Sequence, residues 1–528
     1  MTLISSSLHF NNSYSKIWSW FSKETLRTDD FASLFFAVVG VFVIFRYSMM
    51  FIKSKNAKPQ SPPGPRGLPI VGNLPFLEQD LHTYFTKLAC TYGAVVKLQL
   101  GSKIGIVVSS PSTAREVLKD QDITFANRVV PVVGLLANGG HNIVSSPYGP
   151  QWRMLRKVCV LKMLSNATLD KMYSLRRRET RKTVDYLYAN AGAPVNLGEQ
   201  VFLTIFNVVT NMIWGSTVEG EAGANIGAEF KQVMSVITEI LGLPNISDFF
   251  PVLAPLDLQG RWKRMSKPME KLNGIIDNMI DQRLNVVKES GDFLQFLLQL
   301  KNDNDPKTPL TMDNIKALII DMIVGGTDTS SSSIEFTLAE VINNPQVMRK
   351  AQKELDEVVG KDNIVEESHI YKLPYVLAIM KESLRLHPVL PLLVPHSPAE
   401  ACTLSGYAIP KGCRVFINAW GIHRDPCIWE NPLVFNPDRF LNSQWDFNGN
   451  DFSYFPFGSG RRMCAGTAMA ERMVLYSIAT LLHSFDWKVP EEDDKLDLSE
   501  RFGIVLKLKN PLIAVPVPRL SNPALYQF

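Results

Sequence analysis

The sequence predicts a mainly α protein, an α-rich α+β fold with a small β-rich subdomain, preceded by a single N-terminal transmembrane helix. Three observations carry this. Stretches with helical periodicity cover about 160–190, 260–300, 311–343 and 346–358. Alternating segments read as strands: VVKLQLGSKIGIVVSS (95–110) as a hairpin, RVFINAW (414–420) and IVLKLK (504–509) near the C-terminus. Finally, FASLFFAVVGVFVIF (31–45) is uncharged, and after Arg46 the segment YSMMFI continues the apolar run to Ile52. A run from 31 to 52 spans a hydrocarbon core of about 30 Å if Arg46 snorkels to the headgroups.

Taken in order, residues 1–30 form a lumenal segment and 31–52 the anchor. Asp29 and Asp30 before the apolar run, and the lack of a small-residue cleavage site after it, argue against a removed leader. Arg46, Lys53, Lys55, Lys58 and Arg66 put the C-terminal side in the cytoplasm, against a weaker pull from Lys16, Lys23 and Arg27. The neck, 53–73, carries five prolines between Pro59 and Pro69, which fix φ and make a semi-rigid spacer. One catalytic domain then runs over 74–528, with no internal repeat or second linker. The chain has 528 residues, 46% of them hydrophobic and 20% charged, as a large globular core requires. A net charge of +4, dispersed along the chain, excludes nucleic acid as a partner. The six cysteines, at 90, 159, 402, 413, 427 and 464, form no CxxC pair or zinc spacing, and their scatter suits a reducing compartment.

Two segments carry chemistry. In DMIVGGTDTSSSSIEFTLAE (321–340) a long apolar helix is interrupted by two glycines, an acid and hydroxyls. Each glycine costs a helix interior about 0.8–1 kcal/mol relative to alanine, and Ser and Thr compete for backbone hydrogen bonds. In FPFGSGRRMCAGTAMAERM (455–473) a glycine-rich turn and two arginines lead to Cys464, and Gly466 opens a helix. A cysteine near a helix N-terminus and beside cations is held as thiolate, which suits a nucleophile or a metal ligand. No histidine lies nearby in sequence to serve as its base.

Phe457-Gly458-Ser459-Gly460-Arg461-Arg462-Met463-Cys464-Ala465-Gly466 resembles the cysteine-ligand loop of the cytochrome P450 family, F-x-x-G-x-R-x-C-x-G, at every fixed position. The resemblance implies the cytochrome P450 fold and haem b, with Cys464 as its proximal thiolate metal ligand. It also implies Arg462 on a propionate and Phe457, Gly460 and Gly466 shaping the loop. Glu382 and Arg385 resemble the E-x-x-R helix, and Arg439 of PDRF resembles the arginine that completes its ion-pair network, a structural support for the haem site. Trp152 and Arg156 resemble the W-x-x-x-R helix that reaches the propionates. Gly325-Gly326-Thr327-Asp328-Thr329-Ser330 resembles the distal-helix pattern A/G-G-x-D/E-T-T/S. There the glycines leave room over the haem and open the helix, and Asp328 and Thr329 deliver protons.

The same resemblance places substrate at Val129–Ser146, around Ile320 and Val324, at Leu392–His396 and at Gly503–Val505, with Val324, Val394, His396 and Ile504 as contacts. These segments hold no Arg or Lys, which implies a small apolar substrate. GGTDTSSS, PLLVPHSPAE and HRDPCIWENPLVFNPDRF look most like the plant A-type enzymes, in the group with cadinene (sesquiterpene) hydroxylases and flavone hydroxylases. The expectation is hydroxylation of a terpenoid, most like a sesquiterpene, with a flavonoid as the alternative. A haem-thiolate isomerase or dehydratase that does not activate O2 is a further alternative, disfavoured by the Asp328–Thr329 pair. The chain has no G-x-G-x-x-G fingerprint, so NADPH acts indirectly, through the membrane-bound NADPH–cytochrome P450 reductase, with cytochrome b5 as an occasional helper. Membrane lipid is the remaining partner, and the endoplasmic reticulum, with the catalytic domain on the cytoplasmic face, the location.

Overall fold

The computed structural model describes residues 60–136, 138–215, 220–285, 292–303, 309–490 and 495–528, together with Ala37, Gly40 and Val41. Apart from those three positions, the 31–52 span and the segment before it lie outside the described residues. Among the described residues no helix is long and apolar enough to cross a membrane. Pro59–Gly67 and Val71–Phe528 form one compact unit.

The fold is helix-rich, with small sheets. The helices that position the site are α1 (Leu81–Tyr92), α2 (Pro150–Val158), α3 (Leu197–Trp214), α4 (Gly220–Gly242), α5 (Met312–Asn343), α6 (Pro374–Leu386) and α7 (Thr467–Ser484). The long central α5 packs against α3, α6 and α7. Its start is fixed by a capping box, Thr311 with Asn314, which satisfies two otherwise orphaned N-terminal amides. Ile315, Leu318, Ile323, Ile334, Phe336 and Leu338 are wholly buried.

β1 (Val95–Leu100) and β2 (Lys103–Val108) form the expected antiparallel hairpin, and β3 (Arg414–Ile417) adds in parallel to β2, with Gly105 opposite Arg414 and Val108 opposite Ile417. Strand Ile513–Pro518 lies between Val195–Asn196 and Phe485–Lys488. Local chemistry trims several expected elements. The stretch 160–190 divides because the Ser165 side chain caps a new helix, accepting from the Thr168 amide at 3.3 Å. The strand in RVFINAW stops at Ile417, since Asn418 accepts from the Gly421 amide at 3.0 Å and opens a helical turn. In IVLKLK only Lys507–Leu508 is strand, because Leu506 donates instead to Val389 O at 2.8 Å. The end of the proline-rich neck is docked rather than free: Lys97 N–H donates to Pro63 O at 2.8 Å.

A buried ionic hub ties α5, α6 and α1 together. His387, just after α6, contacts Glu340 at 2.9 Å and Glu500 at 2.8 Å. Glu500 also meets His82 of α1, Trp420 and Arg424. Burial alone would lower the His387 pKa, but the hydrogen bonds to the two carboxylates outweigh it and raise it. A raised histidine pKa stabilises the fold below the unfolded value of about 6.5, and that stability is lost as pH rises through the folded value. Urea midpoints measured across this range should fall towards alkaline pH in the wild type. His387→Leu should flatten that limb and cost about 3–5 kcal/mol by leaving two carboxylates short of a cation. Equal slopes in both proteins would remove His387 from the account.

Candidate active site

A cavity of about 270 Å³ lies against α5. Ile320 and Asp321, then Val324 and Gly325, then Thr329 line it, successive sets about one helical turn apart. Val394, Leu392, Ile504 and Val505 form other parts of the wall. His396 does not line this cavity: it is buried, with Nδ1 bonded to Phe125 O at 2.9 Å.

The two glycines of α5 do different work. Gly325 is exposed, and a Cβ there would meet nothing within 4 Å. Gly326 faces α3, where a Cβ would come within 3.2 Å of Val209. The helix is not opened between them, since α5 runs unbroken from Met312 to Asn343. The hydroxyls fold back on its carbonyls: Thr329 Oγ1 donates to Gly325 O at 2.6 Å and Ser333 Oγ to Thr329 O at 2.8 Å. Asp328 is not among the residues that line the cavity. Its carboxylate pairs with Lys507 at 2.6 Å and accepts from Thr238 of α4 at 3.1 Å.

The cysteine loop is held by its backbone. Gly460 has φ +69°, and a Cβ there would fall 2.0 Å from Leu118 O, so only glycine fits. Cys464 N–H donates to Phe457 O at 3.0 Å, and Gly466 N–H donates to Cys464 Sγ at 3.3 Å. Phe457 packs edge-on to Phe447. Arg462 donates to Ala126 O, Ile143 O and Ser146 O at 2.7, 3.2 and 2.6 Å, and Arg156 donates to Met463 O at 2.6 Å. Trp152 Nε1 donates to Ile143 O at 2.9 Å, and the Arg462 guanidinium lies 4.2 Å from its ring centre. Beneath the loop, Glu382 takes Arg385 at 2.7 Å and Arg439 at 3.0 Å.

The electrostatics show what this pocket lacks. The Gly466 amide, the Thr467 hydroxyl and the Arg156 charge all favour the Cys464 thiolate, opposed by desolvation from the surrounding protein, while the residue itself stays open to solvent. Burial and the neighbouring Arg462 lower Arg128 to about 9, and burial and Arg156 lower Arg462 to about 10. His396 is driven well below its usual value by burial, Arg128 and Arg462. Arg128 Nε and Nη1 are buried with no hydrogen-bond partner. Buried guanidinium groups that repel one another call for an anion.

Sequence reasoning missed three of these groups. Arg128, one residue before the segment read as substrate-facing, lines the cavity, as does Arg414, which is paired with Asp248 at 2.9 Å. Lys507 sits in a two-residue strand and meets Asp328 only in the folded chain. Asp321 was legible as an acid in an apolar helix, but nothing in the sequence names its partners.

Iron protoporphyrin IX fits these demands, being flat, carrying two propionates and leaving an axial position for a soft sulfur ligand. The fold and site thus define a haem-thiolate enzyme. Residues 62–515 match the family model described as Cytochrome P450, and the chain belongs to that family. Its cofactor is haem, and it is a monooxygenase of the hydroxylating kind. It is 38% identical to a flavonoid 3'-monooxygenase of Crocosmia x crocosmiiflora over 92% of this chain and 97% of that protein. It is equally 38% identical to a carnosic acid synthase of Rosmarinus officinalis, over 92% and 99%. A zebra fish cytochrome P450 solved with progesterone superposes with a TM-score of 0.73 at 27% identity, covering 83% of this chain and 99% of that one.

Proposed function

We propose that this chain hydroxylates an apolar plant metabolite of the flavonoid class. The observation that carries the reading is a cavity whose wall is mostly aliphatic but presents Asn142, Ser145 and Thr238 as hydrogen-bonding groups, which suits a phenolic ring system. The relatives' names support it: besides the 3'-monooxygenase, a flavonoid 3',5'-hydroxylase of Solanum melongena is 39% identical over 87% of this chain. The sesquiterpene that the sequence alone favours has less behind it. A terpenoid remains the second reading, supported by the carnosic acid synthases and by Ile320, Val324, Val394 and Ile504 on the wall.

Bound haem supplies dioxygen activation with electrons from NADPH–cytochrome P450 reductase, cytochrome b5 assisting. Cys464 holds the iron, and Arg128, Arg156, Arg462 and Trp152 hold the propionate edge. Glu382, Arg385 and Arg439 keep the loop's support rigid. Gly325 leaves the space above, and Thr329 Oγ1 hands protons into the cavity. Asp328 feeds Thr329 after its carboxylate leaves Lys507, so proton supply includes a side-chain rotation. The 31–52 segment anchors the chain in the endoplasmic reticulum membrane, catalytic domain outward to the cytoplasm. Exposed Val252, Leu256, Leu258 and Trp262 give that domain an apolar surface to lay on lipid.

The test is a reductase-supplemented membrane preparation given labelled dioxygen and parallel panels of flavonoids, diterpenes and sesquiterpenes. One labelled oxygen should enter a flavonoid product. Turnover confined to terpenes would overturn the substrate class, and unlabelled product the monooxygenase reading. Thr329→Ala should keep NADPH consumption while product per NADPH falls by about tenfold or more. Coupled turnover in that variant would remove its hydroxyl from proton delivery.

A further inference from the structure

Asp321 stands on α5 one turn before Gly325, where Ile319, Ile320, Met322 and Ile323 around it are apolar. It is buried, and no cation is among the groups that set its charge; burial pushes its carboxyl up to about 7 against the pull of two backbone amides. A leucine would fill the position without that desolvation cost, so the acid earns its place through what it bonds. Its Oδ2 accepts from the Ile143 amide at 2.7 Å, and the neighbouring Val144 amide also favours the charged carboxylate.

Ile143 is a node. Its carbonyl takes Trp152 Nε1 at 2.9 Å and Arg462 Nη1 at 3.2 Å, while the next turn of the loop gives Ser146 O to Arg462 Nη2 at 2.6 Å. On the other side, Asn142, Val144 and Ser145 form cavity wall. The loop has little order of its own, for Gly139 and Gly140 both take positive φ, 66° and 79°. Its internal bonds are three: the Ser145 amide to Asn142 Oδ1 at 2.7 Å, the Ser146 amide to Asn142 O at 3.1 Å and Ser146 Oγ to Gly140 O at 2.9 Å. A fixed acceptor on the rigid helix supplies what the loop lacks.

We propose that Asp321 is a positioning residue that latches the 139–146 loop to α5, so that one strip of backbone sets the substrate wall with one side and grips Trp152 and Arg462 with the other. Substrate fit and haem retention are then coupled through a single carboxylate, each favouring the loop position that serves the other. The functional half of this inference rests on the reading of the pocket as a haem and substrate site; the latch itself does not.

The experiment uses the purified full chain with haem and measures hydrogen exchange over 139–148 together with haem transfer to apomyoglobin. In the wild type the Ile143 and Val144 amides should be protected, and free-peptide exchange rates there would overturn the latch without any variant. Asp321→Leu should raise exchange in that segment by at least about tenfold and speed haem loss severalfold, while amides 334–343 of α5 stay protected. Asp321→Asn keeps an acceptor oxygen and should stay within about threefold of wild type. Unchanged exchange in Asp321→Leu, or an Asn variant as loose as the Leu one, would overturn the proposal. Exchange reports on the latch whatever the chain oxidises, and the carbon monoxide spectrum reports on the thiolate, so the two readings can fail separately.

Discussion

Cys464→Ala abolishes the red-shifted absorption that thiolate ligation gives the carbon monoxide complex, and hydroxylation with it, while the fold survives. The substitution removes one sulfur from a loop that is held by other means. The Cys464 amide still reaches Phe457 O, Gly460 keeps its left-handed turn against Leu118, and Arg462 keeps three carbonyls. Only the Gly466 amide loses its acceptor. Circular dichroism should therefore show native helix content. The melting temperature should fall to that of the haem-free wild type, because a ligand that binds only the folded state stabilises it by mass action. Retention of the thiolate spectrum would show that the iron ligand lies elsewhere. Loss of helix content would show that the sulfur also carries structure.

Arg385→Leu should cost about 3–5 kcal/mol, a large share of the roughly 5–15 kcal/mol by which domains are stable. Glu382 and Arg385 are both wholly buried, and Arg385 also donates to His423 O and Pro432 O at 2.8 Å. Its guanidinium lies 5.1 Å from the Trp429 ring centre. Without it, Glu382 keeps Arg439 and the Asn436 amide but loses its bidentate partner. Two carbonyls are also left dry. Most of the cost is the uncompensated carboxylate, so Glu382→Leu combined with Arg385→Leu should recover part of it. Urea unfolding of the single and double variants measures this. A single-variant cost below about 1 kcal/mol, or strictly additive costs, would show that the pair is not a coupled unit.

The cysteine loop and the Glu382–Arg385 pair were legible because their parts lie within a few residues, so local geometry decides their contacts. The distal helix was legible as an anomaly in an otherwise apolar stretch. The two glycines are told apart only by their neighbours, since a Cβ at Gly326 would come within 3.2 Å of Val209 and one at Gly325 would meet nothing. Which residues of α5 line the cavity depends on how that helix is rotated against its neighbours, which no local motif gives. Arg128, Asp321 and Lys507 stayed hidden for a related reason. Asp321 and Lys507 meet partners far along the chain, Ile143 and Asp328, and Arg128 Nε and Nη1 are buried without a hydrogen-bond partner.

By itself the sequence determined the helical class and the haem cofactor, since periodicity and short motifs are properties of neighbouring residues. Tertiary structure alone decided which groups turn towards the cavity, which cations go without a counter-charge and which carboxylate ties down the loop. Those outcomes depend on burial and on rotation of one element against another, and neither is encoded at any single stretch of chain.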